Sequence, residues 1–148
     1  MPSDLWSFAS ACYARPGVES TCLQLQEQGL DVCLLLCALW LECRGVAVAE
    51  ARLEQLQGIS QSWQRDVVTP LRELRRSWRT AAAGDPLLAR LRQQIKGLEL
   101  DAERELLARL ETATLTWPAA AAQRPHWLEE LSQDRNALHQ LRAAASTL

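Results

Sequence analysis

The sequence predicts an all-α protein, a single-domain bundle of about seven helices. Leucine and alanine supply 27 and 22 of its 148 residues, whereas valine, isoleucine and threonine together supply only 15. Unbranched side chains keep their rotamers in a helix, and β-branched side chains favour sheets. A chain of this length is typical of one domain, which buries about two thirds of its unfolded surface without a disulfide or a metal.

Glycine and proline residues divide the first 58 residues into four short predicted helices, which form a compact apolar unit. The third helix begins after Asp31, whose carboxylate caps it, and its side chains are apolar on nearly all sides. Such a helix is buried on every side, so we predict that it forms the centre of the core. The predicted spans are about 4–14, 18–28, 32–44 and 46–57, the last ending before Gly58.

Residues 59–116 are predicted to form a long antiparallel hairpin, with its two arms within about 60–113. In the first arm, apolar residues recur every three or four positions through Pro70. Because proline lacks an N–H and clashes with the preceding turn, we predict a kink near 66–69 or a break into two helices.

The second arm has clear signals at both ends. Asp85 caps it and Pro86 occupies its first position, where proline is favoured. It extends for about 25 residues, or roughly 37 Å at 1.5 Å per residue, and stops before Trp117-Pro118. A polar and alanine-rich stretch then leads to the last helix, predicted from near Pro125 to residue 145.

The charge of the chain is unevenly distributed. The net charge is −2, whereas a generic nucleic-acid binder carries a clear basic excess. By segment, the net charge is −4 over residues 1–64, +5 over 65–96 and −3 over 97–148. The overall balance argues against a generic nucleic-acid binder, but the central segment is a candidate surface for an anionic partner.

The basic residues of the central segment form one predicted band on the hairpin. On a helical projection, the arginines of the first arm lie between about 40° and 140° from Leu71, beside the apolar seam. In an antiparallel hairpin Arg72 lies near Lys96, so both arms bring basic residues to the same tip. The alternative is a solvated face, or one neutralised by Glu42, Glu50 and Glu54. The candidate partner-binding residues are Arg65, Arg72, Arg75, Arg76, Arg79, Arg92 and Lys96.

All five cysteines lie within the first 43 residues. No CxxC pair occurs, whereas structural zinc sites favour such closely spaced ligands. Free cysteine is among the most buried residue types, so we predict that these thiols pack in the core. Because the number of cysteines is odd and no secretory signal is recognisable, we predict a cytoplasmic protein with reduced thiols. No apolar run approaches the roughly 20 residues of a membrane helix, so we predict no membrane span.

No pattern in the sequence indicates a catalytic or cofactor site. Glu99, Asp101, Glu103 and Glu105 crowd the second arm, and the spacing of the first and third occurs in metal-binding helices. No histidine follows at the required position, however, so a solvated face is the simpler interpretation. Neither a glycine-rich phosphate loop nor a nucleophile elbow occurs. We therefore expect neither an enzyme nor a cofactor nor a metal.

Several segments of the chain share one pattern: DLWSFA at 4–9, Tyr13, PGV at 16–18, CLQLQ at 22–26, GLDV at 29–32, LLL at 34–36, Trp40, VVTPLR at 67–72, Arg75-Arg76 and ELDAE at 99–103. This pattern resembles a family of small proteobacterial proteins known only as conserved hypothetical proteins, a domain of unknown function. Members often carry asparagine where this chain has Cys33, which argues further against thiol chemistry there. The resemblance implies a helical, cytoplasmic, bacterial protein without an established activity, substrate or cofactor, and it makes Arg72, Arg75 and Arg76 the first candidates for a functional patch.

Two functional hypotheses follow from the sequence. The first is a non-enzymatic interaction or regulatory protein that docks an acidic partner surface through the arginine band. The second is RNA or ribonucleoprotein binding through the same residues, which is distinguished by a steep dependence of affinity on salt. A third hypothesis, a thiol or metal sensor, rests on the cysteines and lacks the ligand spacing of a metal site.

Overall fold

A computed structural model describes residues 2–148, in which all regular structure is helical, so the predicted all-α class is confirmed. Two of the helical segments are irregular, a π-helical turn and a short 3₁₀ turn. In chain order the segments are α1 (Leu5–Tyr13), α2 (Val18–Glu27), α3 (Val32–Cys43), α4 (Glu50–Trp63), the π turn (Gln64–Val68), α5 (Thr69–Ser77), α6 (Arg79–Ala82), α7 (Pro86–Thr114), the 3₁₀ turn (Leu128–Glu130) and α8 (Arg135–Ala145).

Helix α3 is the centre of the core, as predicted. Every residue from Cys33 to Glu42 is buried, and α1, α2, α4, α7 and α8 all contact this helix. The Asp31 carboxylate accepts a hydrogen bond from the Leu34 N–H at 3.3 Å and so caps the first turn. The helix ends at Gly45, whose φ of +70° is a left-handed conformation that glycine adopts without steric cost.

The predicted helix end before Gly58 is wrong. Helix α4 passes through Gly58 without interruption and continues to Trp63. A single glycine costs only about 1 kcal/mol in a helix interior. Leu56 and Ser60, on either side of it, are buried against the rest of the domain, and this packing maintains the helix.

The irregularity predicted at Pro70 is a π-helical turn immediately before it. The Thr69 N–H bonds to the Gln64 carbonyl, five residues back, and α4, the π turn and α5 follow one another without a break. Because Pro70 has no N–H and its ring crowds the preceding turn, a wider turn accommodates it without ending the helix.

Helices α5 and α7 form the predicted antiparallel hairpin, closed by the single turn of α6. The Asp85 carboxylate accepts from the Leu88 N–H at 3.2 Å and caps α7 at the predicted position. The inner part of α7 packs on the core through Leu106, Leu107 and Leu110, whereas residues 69–98 include no buried residue. Although α7 has 29 residues, it is rich in charge, and no helix within residues 2–148 is long and apolar enough to cross a membrane.

The start predicted for the last helix is wrong, because the chain from Pro125 to Asp134 packs on the core before α8 begins at Arg135. The Trp127 indole N–H donates to the Val46 carbonyl at 2.7 Å, which satisfies a fully buried ring. The ring also stacks on Trp117, with 6.1 Å between the ring centroids. These long-range contacts outweigh the local tendency to form helix over these residues.

Candidate functional site

A groove of about 1130 Å³ lies between the N-terminal helices and the hairpin. One wall comes from α1, α2 and the start of α3, and the other from α4, the π turn, α5 and α7. The first wall carries apolar and aromatic side chains, and the second carries arginines, glutamines and carboxylates. The N-terminal wall includes Trp6, Tyr13, Leu23, Leu30 and Val32.

Glu99 of α7 binds two arginines of α5 at the floor of the groove. The Arg72 Nε and Arg75 Nε atoms donate to its two carboxylate oxygens at 2.9 and 2.6 Å. A second nitrogen of Arg72 donates to Glu103 at 3.3 Å. Burial alone would raise the pKa of Glu99, but the hydrogen bonds from Arg75 and Arg72 outweigh it and lower that pKa. This ion-pair cluster fastens α5 to α7.

Two further carboxylates of the groove are less acidic than usual. Burial raises the pKa of Asp31, although hydrogen bonds from the Leu34 N–H and the Gln64 side chain oppose this effect. Burial also raises the pKa of Glu103, while the positive charge of Arg72 opposes it. Both carboxylates therefore keep their protons to a higher pH than in water.

The π turn contributes to the floor of the groove. Gln64, its first residue, lines the groove, as does Ser60 from the preceding turn of α4. The Ser60 hydroxyl donates to the Asp31 carboxylate, so the start of α3 is linked to the second wall. π-helical turns occur frequently at functional sites, because the extra residue redirects the side chains around it.

The rim of the groove carries free positive charge. Arg76 and Arg79 line the groove and are exposed, and neither forms an ion pair within residues 2–148. Arg65 also lines the groove and pairs at 2.8 Å with the adjacent Asp66, itself exposed. The lining as a whole has five arginines against three carboxylates, a formal charge of +2.

Five of the seven candidate partner-binding residues line this groove, and two do not. Arg92 donates to the Arg75 carbonyl at 2.8 Å and helps to join the two arms of the hairpin. Lys96 is exposed outside the groove, and Arg72 lies against Glu99 and Glu103. The residues of the predicted band that line the groove are Arg65, Arg72, Arg75, Arg76 and Arg79.

The predicted neutralisation by Glu42, Glu50 and Glu54 is wrong. Glu42 has a fully buried side chain and pairs at 2.8 Å with Arg142 of α8, while the other two are exposed without an ion pair among the described residues. Glu99 and Glu103 of α7 neutralise the arginines instead. The prediction that the acidic cluster of α7 faces solvent is therefore wrong for these two residues. The remaining acids of that cluster, Asp101 and Glu105, are exposed.

The cysteines pack in the core, as predicted. Four of the five are buried, Cys43 is partly buried, and all five are free thiols. Burial raises the pKa of Cys12 to about 11 and that of Cys22 to about 12. Such thiols are unreactive at neutral pH. Within residues 2–148, no group of three or more histidine, cysteine or acidic side chains is arranged to hold a metal ion.

Sequence reasoning missed the contribution of the N-terminal helices to this site. The sequence indicates Asp31 only as a helix cap, yet its carboxylate also accepts from Ser60 across the groove. The arginine band and Pro70, which marks the turn that carries Gln64, are the sequence features that indicate this region.

The fold and the site together define an all-α domain with a groove that is apolar on one wall and basic on the other. Residues 4–110 match the family described as a protein of unknown function (DUF2390), and the chain belongs to that family. The match extends from α1 through most of α7 and includes every residue that lines the groove. Searches of curated proteins and of solved structures give no match.

Proposed function

We propose that this chain is a non-enzymatic binding protein whose groove docks an acidic, amphipathic segment of a partner protein. The observation that carries the proposal is the lining of the groove, in which five arginines face three carboxylates. Arg76 and Arg79 are exposed at the rim, so they can bind carboxylates of a partner without first breaking an internal ion pair.

The shape of the groove favours a segment over a broad flat surface. A groove of about 1130 Å³ accommodates several side chains of one partner helix. Helix-in-groove recognition uses an apolar helix face against an apolar groove, with charges at the edge. Here Trp6 and Leu23 lie on the apolar wall, and the arginines lie on the opposite wall.

The bonding of the polar groups supports a binding role. Both oxygens of Glu99 accept from arginines, and the Asp31 carboxylate accepts from Leu34 and Ser60. These bonds hold the carboxylates of Glu99 and Asp31 in place between elements of the domain, a structural role that is consistent with a binding groove. We also propose that the protein acts in the cytoplasm, where its five free thiols remain reduced.

RNA binding through the same groove is the competing function, and the lining argues against it. Asp31, Glu99 and Glu103 line the groove beside the arginines, so a phosphate backbone lying along it would meet carboxylates as well as arginines, whereas an amphipathic helix can direct its acidic side chains to the exposed arginines of the rim. RNA readers also stack bases on aromatic side chains, and Trp6 and Tyr13 are the aromatic side chains of the groove, so a titration with RNA decides between the two functions.

The test is a titration with defined probes. The first probe is a labelled amphipathic helical peptide made of leucine and glutamate, and its control has lysine in place of glutamate. The third probe is single-stranded oligouridine. Fluorescence anisotropy gives the affinities, and the indole N–H resonance of Trp6 reports whether the peptide occupies the groove. We expect the acidic peptide to bind and to shift that resonance.

Variants separate the groove from the rest of the basic band. The double variant Arg76→Glu, Arg79→Glu is expected to weaken binding of the acidic peptide about tenfold, or about 1.4 kcal/mol, because two exposed charge pairs become repulsive. The control double variant Lys96→Glu, Arg135→Glu makes the same charge change outside the groove and is expected to alter affinity less than about twofold.

Two results would overturn the proposal. One is equal affinity for the acidic and basic peptides. The other is tight oligouridine binding that the Arg76 and Arg79 changes abolish, with a log–log salt slope near −0.7 per phosphate contact. That second result would establish RNA binding in its place.

A further inference from the structure

The outer part of the hairpin lacks a core of its own. None of residues 69–98 is buried, although this segment contains six leucines, Ile95 and Trp78. Soluble monomers rarely leave large contiguous apolar surfaces exposed. The hairpin therefore has apolar surface that the rest of the chain does not cover.

The exposed leucines lie on the side of the hairpin away from the groove. Leu87, Leu91 and Leu98 are 58, 41 and 51% exposed, and they fall within an arc of about 40° on α7. The groove-lining residues of α7 begin about 100° further round the helix. The bond between Arg92 and the Arg75 carbonyl sets the register of the arms and places Leu74, 38% exposed, within one turn of Leu91. We call these four leucines the outer leucine face.

Charges beside this face form a self-complementary pattern. Arg90 and Asp101 lie at nearly the same angle on α7, about 20° apart, Arg90 between Leu87 and Leu91 and Asp101 one turn beyond Leu98. Both are exposed, and neither forms an ion pair among residues 2–148. In an antiparallel pair with Leu91 against Leu98 of a second copy, Arg90 comes within about 3 Å along the helix axis of Asp101 of that copy.

We propose that the outer leucine face is the interface of a twofold homodimer, formed by antiparallel packing of α7 against α7 of a second copy. In a twofold interface the same patch serves both subunits, so one arginine and one aspartate at matching angles make two identical ion pairs. The charge pattern thus selects a second copy of this chain as the occupant.

The size of the face sets the expected strength of the dimer. The outer part of α7, 13 residues long, spans about 20 Å, and a strip about 10 Å wide along it gives a face near 200 Å² per copy, to which Leu74 of α5 adds. Stable complexes bury about 800 Å² per partner, so we expect a weak, reversible dimer with a dissociation constant in the range of roughly 100 μM to 1 mM. The groove lies on the other side of the hairpin and remains open in this dimer.

Analytical ultracentrifugation of the full chain over a range of concentrations tests the proposal. The double variant Leu91→Glu, Leu98→Glu is expected to raise the dissociation constant at least about tenfold. The control variant Leu23→Glu, Leu115→Glu changes two leucines that are equally exposed elsewhere, one of them in the groove, and is expected to leave dimerisation unchanged. Circular dichroism verifies that each variant is folded.

A charge exchange tests the antiparallel register. Arg90→Asp and Asp101→Arg are each expected to weaken the dimer, because each places like charges together, and the variant with both changes is expected to restore it. A chain that stays monomeric to about 1 mM, or a dimer that tolerates the Leu91 and Leu98 changes, would overturn the proposal. So would a double charge exchange that fails to restore association.

Discussion

Replacing Glu99 by glutamine is expected to lower stability and raise affinity for the acidic peptide. Glu99 is the shared acceptor of Arg72 and Arg75, and its side chain is only 10% exposed. Glutamine keeps the shape of the side chain and one acceptor oxygen but removes the charge. The two arginines are then released from their main internal partner, and the formal charge of the groove lining rises from +2 to +3.

The magnitude follows from the two bonds that are lost or weakened. A hydrogen bond to a charged group contributes about 1.5–3 kcal/mol to stability, and partial exposure of the arginines, 19 and 18%, reduces this through solvent screening. Because glutamine keeps one acceptor and Arg72 keeps Glu103, we expect a loss of about 2 kcal/mol in the free energy of unfolding. Urea denaturation followed by far-ultraviolet circular dichroism measures it.

The pH dependence gives an independent check on this reasoning. The pKa of Glu99 is lower in the folded state than the ordinary value of 4.5, so its stabilisation is complete above that value. It is lost as the pH falls through the folded-state pKa, and the gap between the wild type and Glu99→Gln should close there. The control Glu105→Gln removes an exposed partner of Arg109 and should cost less than about 0.5 kcal/mol.

The reasoning would be refuted if Glu99→Gln lost stability and peptide affinity together. A merely structural role predicts that pattern, because a loosened hairpin would bind less well. Unchanged stability would equally refute it, since it would mean that the ion pairs make no net contribution.

Three other predictions concern the framework around the groove. Asp31→Asn should match or exceed the wild type in stability at pH 7, because asparagine caps a helix equally well and places no charge in the buried site. Asp31→Ala should lose about 1 kcal/mol. Because burial raises the pKa of Asp31, only the wild type should gain stability as the pH falls toward that pKa. Arg142→Met should cost about 3 kcal/mol in urea denaturation, because it leaves the buried Glu42 carboxylate with the half-exposed Arg124 at 3.9 Å as its only remaining cation within residues 2–148. Adding Glu42→Gln should recover much of that loss, and an equal cost for the exposed control Arg135→Met would contradict this. Burial raises the pKa of all five thiols, and Cys43 is the one that is only partly buried. A thiol reagent at neutral pH should therefore label Cys43 first and the other four only after unfolding. Rapid labelling of a second cysteine in the folded protein would contradict this prediction.

Elements with strong local signals were predictable from the sequence. Asp31 and Asp85 both cap helices where expected, since an N-cap needs only a short side chain and the N–H groups that follow it. The central position of α3 could be predicted because its side chains are apolar on nearly all sides, so the helix has no polar face to expose to water. The hairpin could be predicted from the apolar periodicity of its two arms and from the cap at Asp85 between them.

Elements decided by long-range contacts were not predictable. The antiparallel hairpin predicts Arg75 near Arg92, and the bond from Arg92 to the Arg75 carbonyl confirms it. Which acids the arginines of α5 then meet depends on how the side chains of α5 and α7 pack, and the sequence does not show this. The ordered segment before α8 depends on Trp127 bonding to Val46, 81 residues away. The shape of the groove depends on how α1 and α2 pack beside α7, which no local pattern encodes.

The arginines in the first arm of the hairpin have two different roles in the structure. Arg72 and Arg75 lie 19 and 18% exposed against Glu99, so they hold α5 on α7. Arg76 of α5 and Arg79 of α6 form no ion pair within residues 2–148, because Glu99 and Glu103 of α7 are paired with Arg72 and Arg75. The surplus of positive charge in the central segment is therefore carried at the rim of the groove. The outer leucine face lies on the other side of the same arms, so the docking and the pairing of two copies that we propose would use separate surfaces.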